Sequence, residues 1–233
     1  MKTRSTMINR LADSIACVHR NHPIRVGIDG FAATGKTTLA NELVTPLEQR
    51  GRVVLRISID GFHNPAEIRH RKGRDCPVGY YHDSFNHEAI VRHVLIPLGP
   101  NGNRRYKSEN YDYLASTQVE ADWKEAPSDA ILLFDGIFLH RPELKGHWDF
   151  TIFVHTDFNI MLDRACRRDL EKFQSVDRVR ESFEQRFIPG SQMYLEQEDP
   201  HNQAHCVVDN NDVFRPILHS TDSSHKTPIA APF

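Results

Sequence analysis

The sequence predicts an α/β domain, a parallel sheet with helices on both faces and its ligand site at the carboxyl ends of the strands. Three observations predict it. Short, continuous apolar runs alternate with longer helical patterns along the 233 residues, as strands buried on both faces of a parallel sheet require. The first such run, with Ile24, Val26 and Ile28, opens into Gly30, Phe31, Ala32, Ala33, Thr34, Gly35, Lys36, Thr37, Thr38, a match to G-x-x-x-x-G-K-[ST]. Two later runs end in the carboxylates Asp60 and Asp135, which this fold brings to the edge where the glycine-bearing loop opens.

Bulk properties narrow the classes. The chain is long enough for one large domain with its own core. A formal net charge of -2 supplies no global basic field, so neither nucleic acid nor an anionic membrane is expected as a partner. Cys17, Cys76, Cys166 and Cys206 are widely spaced, which suggests neither a disulfide framework nor a zinc site. No run of eighteen apolar residues occurs, and a soluble, cytoplasmic protein is expected. A homo-oligomer is left open.

In chain order, Ile8, Leu11, Ile15 and Val18 give Met7 to His19 the spacing of an amphipathic helix on the flank of the sheet. A helix follows the loop, with Gly51 as its stop, and Val53 to Ile59 reads as the second strand. From Gly61 to Ser84 periodicity is lost, and an ordered loop over the strand ends is expected. Asn86 to Leu98 reads as a helix, and Arg104 to Val119 as a short hairpin. Ala130 to Phe134, Phe150 to Val154 and Cys206 to Val208 are further strands, with a long charged helical stretch from Phe158 to Phe187 stopped by Pro189 and Gly190. Residues 1–219 therefore read as a single domain with a lid at about 160–190, followed by a polar tail over 220–233 expected to be poorly ordered.

The chemistry follows from residue types. Glycines at both ends of the loop let backbone N–H groups and the following helix N-terminus face phosphate oxygens, so Gly30, Ala32, Ala33, Thr34, Gly35, Lys36, Thr37 and Thr38 are the expected phosphate cradle. Lys36 reaches the outer phosphates and Thr37 holds Mg2+. Asp135, closing an apolar strand, would hold the metal directly or through water, with a strand-capping aspartate as the competing explanation. Asp60 is a candidate to take the proton of a substrate alcohol, with a turn aspartate before Gly61 as the competing explanation. Arg164 and Arg168, four apart on a helix, share a face and could meet a transferred phosphate. They could equally form a solvated face paired with Asp163, Asp169 and Glu171. Tyr80, Tyr81 and Phe85 are candidates for an acceptor pocket, with local packing as the competing explanation. Arg69, Arg71, Lys72 and Arg74 fit a solvated loop slightly better than substrate binding. His201, His205 and Cys206 lack the further ligands a metal site needs.

These stretches, with Asp83 to Phe85 and Val208 to Asn210, resemble the uridine kinase and phosphoribulokinase group of P-loop kinases, from about Ile24 to Leu218. The chain is most similar to bacterial uridine kinase-like proteins, which share the step from Asp135 to Leu139. The resemblance implies a P-loop NTPase-type sheet with a small helical lid and a cytoplasmic, ATP-dependent transfer of phosphate to a small-molecule alcohol. It implies Asp60 as catalytic base near Mg2+, Asp135 as metal ligand, and Arg164 and Arg168 as phosphate clamps. Arg69, Tyr80, Tyr81, Asp83, Phe85 and Tyr111 are the substrate-side candidates.

The acceptor segment departs from that group. Tyr80, Tyr81, His82, Asp83, Ser84, Phe85 stand where the nucleoside kinases carry F-D-H-P-D-A-F, and Ser116, Thr117 and Gln118 replace a base-contacting histidine and its neighbours. Uridine leads among acceptors, with nicotinamide riboside, pantothenate or a sugar as alternatives and a binding protein without turnover as a third reading. A GTPase switch is disfavoured, because neither N-K-x-D nor D-x-x-G occurs.

Overall fold

In the computed structural model, which describes residues 3–220, the chain opens with α1 (Arg4–Ala16), β1 (Ile24–Asp29), α2 (Lys36–Glu48) and β2 (Val54–Ser58). Short elements follow: α3 (Ala66–Arg69), α4 (Pro77–Asp83), α5 (His87–Ile90), β3 (Arg105–Tyr106), β4 (Tyr111–Asp112), β5 (Thr117–Gln118) and β6 (Lys124–Glu125). The second half holds β7 (Ile131–Gly136), β8 (Phe150–His155), α6 (Phe158–Arg168), α7 (Leu170–Phe173), α8 (Val176–Ser182) and α9 (Ile188–Glu198). It closes with α10 (Pro200–Gln203), β9 (Cys206–Asp209) and β10 (Ile217–Ser220).

The main sheet has the order β10, β9, β8, β1, β7, β2. Its neighbours are parallel except for the antiparallel edge strand β10. Side-chain alternation splits the core into two layers. Ile24, Val26, Ile28, Ile131 and Leu133 pack with Leu11, Ile15, Leu39 and Leu43 of α1 and α2, while Leu132, Phe134 and Phe153 face Leu98, Phe138 and Tyr194. Both faces are therefore dry, which is why these strands read as continuous apolar runs. Strand β7 pairs with both β1 and β2, setting Asp29 opposite Gly136 and Ser58 opposite Asp135. The carboxyl ends of the three strands thus share one level.

Several elements differ from expectation. The ordered loop expected from Gly61 to Ser84 holds two short helices, α3 and α4. Strand β10 escapes a reading based on apolar runs because it lies at the edge and only Ile217 and Leu218 are apolar. The expected hairpin is present as β4 with β5, enclosed by a second antiparallel pair, β3 with β6. The expected helix after Asn86 widens into a π-helical turn over Val91–Leu95.

The long helical stretch is broken at Asp169 and Gln174, and it does not stop at Pro189 and Gly190. A π-helical turn, Phe183–Phe187, leads into α9, with Pro189 in its first turn, where a missing N–H is tolerated. Gly190 serves a close approach: a Cβ there would lie 2.6 Å from the Tyr80 ring. The tail expected over 220–233 lies, beyond Ser220, outside the described residues. Among the described residues, no helix is long and apolar enough to cross a membrane.

Candidate active site

The loop between β1 and α2 is held in shape from beneath and from the side. Gly35 adopts φ 91°, a left-handed conformation that favours glycine, and Ala33 is also left-handed at φ 60°. No side chain caps α2, so its first N–H groups stay available to an anion. Beneath the loop, Asp29 Oδ1 accepts from the Gly30 N–H at 2.8 Å. Its Oδ2 accepts from the Tyr194 hydroxyl and lies 2.9 Å from His140 Nδ1. Asp29, His140 and Tyr194 are all buried. From the side, Asn210 Nδ2 donates to the Thr34 carbonyl at 2.7 Å.

The reactive groups gather where the loop meets β2 and β7. The Thr37 hydroxyl donates to Asp135 Oδ2 at 2.6 Å, and Arg56 donates to Oδ1 at 2.7 Å, so both oxygens of this buried carboxylate are oriented. Lys36 Nζ lies 3.3 Å from the Phe31 carbonyl. Burial lowers its pKa, opposed by the charges of Asp60 and Asp135. Asp60 sits in the 3-10 turn Ile59–Phe62, entered through the Ser58 hydroxyl, which accepts from the Asp60 N–H at 3.3 Å. This turn exposes the Asp60 side chain at the strand end.

Lys36, Thr37 and Asp60 line one side of a cavity of about 340 Å3. His63, Tyr80, Phe85 and Tyr113 form an aromatic wall, and Arg168, Asp169, Lys172 and Phe173 contribute from the end of α6 and from α7. The His63 ring lies 4.5 Å from Phe85 and 4.7 Å from Tyr113, centroid to centroid. Its Nδ1 lies 2.9 Å from the Asp60 carbonyl and donates there. Burial lowers the His63 pKa, so the ring is neutral at neutral pH. Lys172 Nζ sits 5.5 Å over the Tyr113 ring. Two larger grooves, of 510 and 540 Å3, share Arg20 at the amino ends of the strands and carry none of these groups.

The expected residues divide clearly. Lys36, Thr37, Asp60, Tyr80, Phe85 and Arg168 reach the cavity, and Asp135 stands behind Thr37. Arg168 is paired with Asp169 at 2.7 and 2.8 Å. Arg164 shares its helix but not its target, because it donates to the carbonyls of Asn210 at 2.7 Å and Asn211 at 3.0 Å. Tyr81 packs on Phe138 and under Arg141, with its hydroxyl donating to Glu198. Asp83 is buried and paired with Arg71 and Lys72 at 2.5 and 3.1 Å. Burial opposes its ionisation, and those two cations hold its pKa below the usual value. Arg69 donates to the Asn64 carbonyl. Tyr111 is buried in β4, and Tyr113 takes the cavity position.

Sequence reasoning missed His63, Tyr113, Lys172 and Phe173 on the cavity, and Asp29, Arg56, His140 and Asn210 around the loop. Asp29 and Arg56 carried a usable signal, since a charged residue inside an apolar strand run needs a partner. The His201, His205 and Cys206 group does not gather as a metal site: among the described residues, no cluster of three or more metal-binding side chains occurs. Phosphate-bound Mg2+ needs no such cluster, because one or two carboxylates with a hydroxyl suffice. Thr37, Asp135 and Asp60 are the oxygen-bearing side chains here that would hold such an ion.

The sequence profile of the Phosphoribulokinase / Uridine kinase family matches residues 25–212. The chain belongs to this family. A uridine kinase of Clostridium botulinum is 28% identical over 165 residues, covering 67% of this chain and 74% of the relative. A structure described as a possible uridine kinase from Bacillus stearothermophilus superposes with a TM-score of 0.68 at 22% identity, covering 86% of this chain and 96% of that one. A D-glycerate 3-kinase from Cryptococcus neoformans superposes at 0.61 and 12% identity, covering 92% and 99%. The two structural likenesses are likenesses of fold. As a Phosphoribulokinase / Uridine kinase family member, the protein is a small-molecule kinase of P-loop fold, from a family that uses ATP and Mg2+.

Proposed function

We propose that this kinase transfers the γ-phosphate of ATP to a hydroxyl of a nucleoside, with uridine the leading acceptor. The observation that carries this reading is the convergence of Lys36, Thr37, Asp60 and Arg168 on one cavity with an aromatic wall. The loop and the first turn of α2 hold the donor phosphates. Asp60 accepts the proton of the attacking hydroxyl, while Lys36 and Arg168 offset charge on the transferred group. Thr37, Asp135 and Asp60 would hold Mg2+, which, when bound, neutralises phosphate charge and fixes the donor. A flat base would stack on the cavity side of the aromatic wall formed by His63, Phe85 and Tyr113.

A second reading keeps the chemistry and changes the alcohol to nicotinamide riboside, pantothenate or a sugar. It is favoured by β5, where Thr117 and Gln118 are exposed strand residues at the place of the base-contacting histidine. Coupled ADP release with Mg2+, measured across nucleosides, vitamins and sugars, tests both. Turnover with uridine or cytidine is expected. Turnover with another alcohol alone would remove the nucleoside and keep the kinase.

A further inference from the structure

Asn210 lies in the turn after β9, is 2% exposed, and joins two parts of the chain that are far apart in sequence. Its Nδ2 donates to the carbonyl of Thr34 in the phosphate loop at 2.7 Å. Its Oδ1 accepts from Arg4 Nη1 at 3.0 Å. The same Nη1 reaches the Val213 carbonyl at 3.0 Å, while Nε and Nη2 of Arg4 grip Glu42 of α2 at 2.6 to 3.0 Å. Arg4 begins α1, ahead of the residues matched to the family.

We propose that Arg4 is a positioning residue for the ATP site, acting through the Asn210 amide on the phosphate loop. This rests on the reading that the loop holds ATP. The physical basis is a choice between two amide orientations. A guanidinium can only donate, so Arg4 requires Oδ1 on its side and leaves Nδ2 facing the Thr34 carbonyl. The reversed amide would set an oxygen against that carbonyl and a donor against a donor. Packing sharpens the constraint, because a Cβ on Gly35 would lie 2.7 Å from Asn210 Nδ2. Arg164 also holds the main chain of the same turn, through the carbonyls of Asn210 and Asn211. Arg4 thus determines which end of the amide meets the loop, and its grip on Glu42 ties that choice to the helix that follows the loop.

Calorimetric titration of MgATP without acceptor, on the full chain, tests the proposal with Arg4→Met, Asn210→Ala and the double variant. Arg4→Met is expected to weaken ATP about tenfold, the equivalent of one hydrogen bond. The double variant should bind no more weakly than Asn210→Ala, because one effect runs through the other. The KM for the acceptor should stay within about twofold of wild type, since Arg4 is remote from the cavity wall. Asn210→Asp serves if Arg4→Met fails to fold. It keeps an acceptor for Arg4 but cannot donate to Thr34 when ionised, and should lose ATP affinity to a similar degree. Unchanged ATP affinity in Arg4→Met or Asn210→Asp, or additive losses in the double variant, would overturn the role of Arg4 and leave the kinase reading intact. Failure of the wild type to bind MgATP would remove both.

Discussion

On the proposed function the cavity has a donor half and an acceptor half, and the two are built in different ways. The donor half comes from one contiguous run, Gly30 to Thr38, and from two adjacent strand ends whose register sets Ser58 opposite Asp135. The acceptor half takes His63, Tyr80, Phe85, Tyr113, Arg168 and Lys172 from widely separated turns and short helices. A parallel sheet fixes the donor half through backbone hydrogen bonds and a dry core. Side-chain packing among short elements fixes the acceptor half. Changes in the first should act on ATP and turnover, and changes in the second on the acceptor.

The largest expected effect that sharpens this contrast is at Lys36. Lys36→Ala removes the cation proposed to reach the outer phosphates, and steady-state kinetics should show kcat/KM falling by roughly 10³. Intact ATP binding and turnover would break the donor assignment. On the other side, Tyr113→Ala removes an aromatic wall residue. The KM for the acceptor should rise about tenfold with the KM for ATP unmoved. An equal rise in both would show that the halves are not separable.

Smaller effects are expected beneath the loop. Tyr194→Phe deletes the hydroxyl that donates to Asp29 and accepts from the His140 N–H. Burial and the adjacent Asp29 charge hold its pKa well above 10, so it acts as a neutral donor. Its loss leaves a buried carboxylate short of a partner, and thermal melts should show Tm lower by roughly 5 °C, with the acceptor KM unchanged. A shift in acceptor KM would mean that the network reaches the far wall.

The mildest test is pH. Burial holds both His87 and His201 at about 4, below the ordinary 6.5. Between these values the unfolded chain binds protons that the folded chain refuses. Their contribution is therefore fully present above pH 6.5 and is lost progressively as pH falls toward 4. Melts at pH 7.5 and pH 5 should show the lower Tm at pH 5. A Tm that did not fall would place these rings in contact with water.

The same division explains what the sequence revealed. The strands were legible because burial on both faces leaves apolar runs, and the placement of Lys36, Thr37, Asp60 and Asp135 at one sheet edge because each sits at a fixed offset from a strand end. The helix through Pro189 was not legible, since proline and glycine ordinarily stop helices, and here a π-helical turn and the Tyr80 ring reverse their meaning. His63 and Tyr113 lie 50 residues apart, and only tertiary packing stacks them. Asp29, His140 and Tyr194 form their network across separations of up to 165 residues, which no local pattern encodes. Arg164 and Arg168 show the limit of helical spacing: it places two side chains on one face but does not choose their partners.

The central claim, that the two halves meet at Asp60, is tested most directly by Asp60→Asn. With ATP affinity measured by calorimetry beside alcohol-dependent ADP release, the substitution should abolish transfer to within detection, a loss of about 10³ or more, and leave ATP affinity nearly unchanged. Undiminished turnover in Asp60→Asn would contradict it and remove Asp60 as the base.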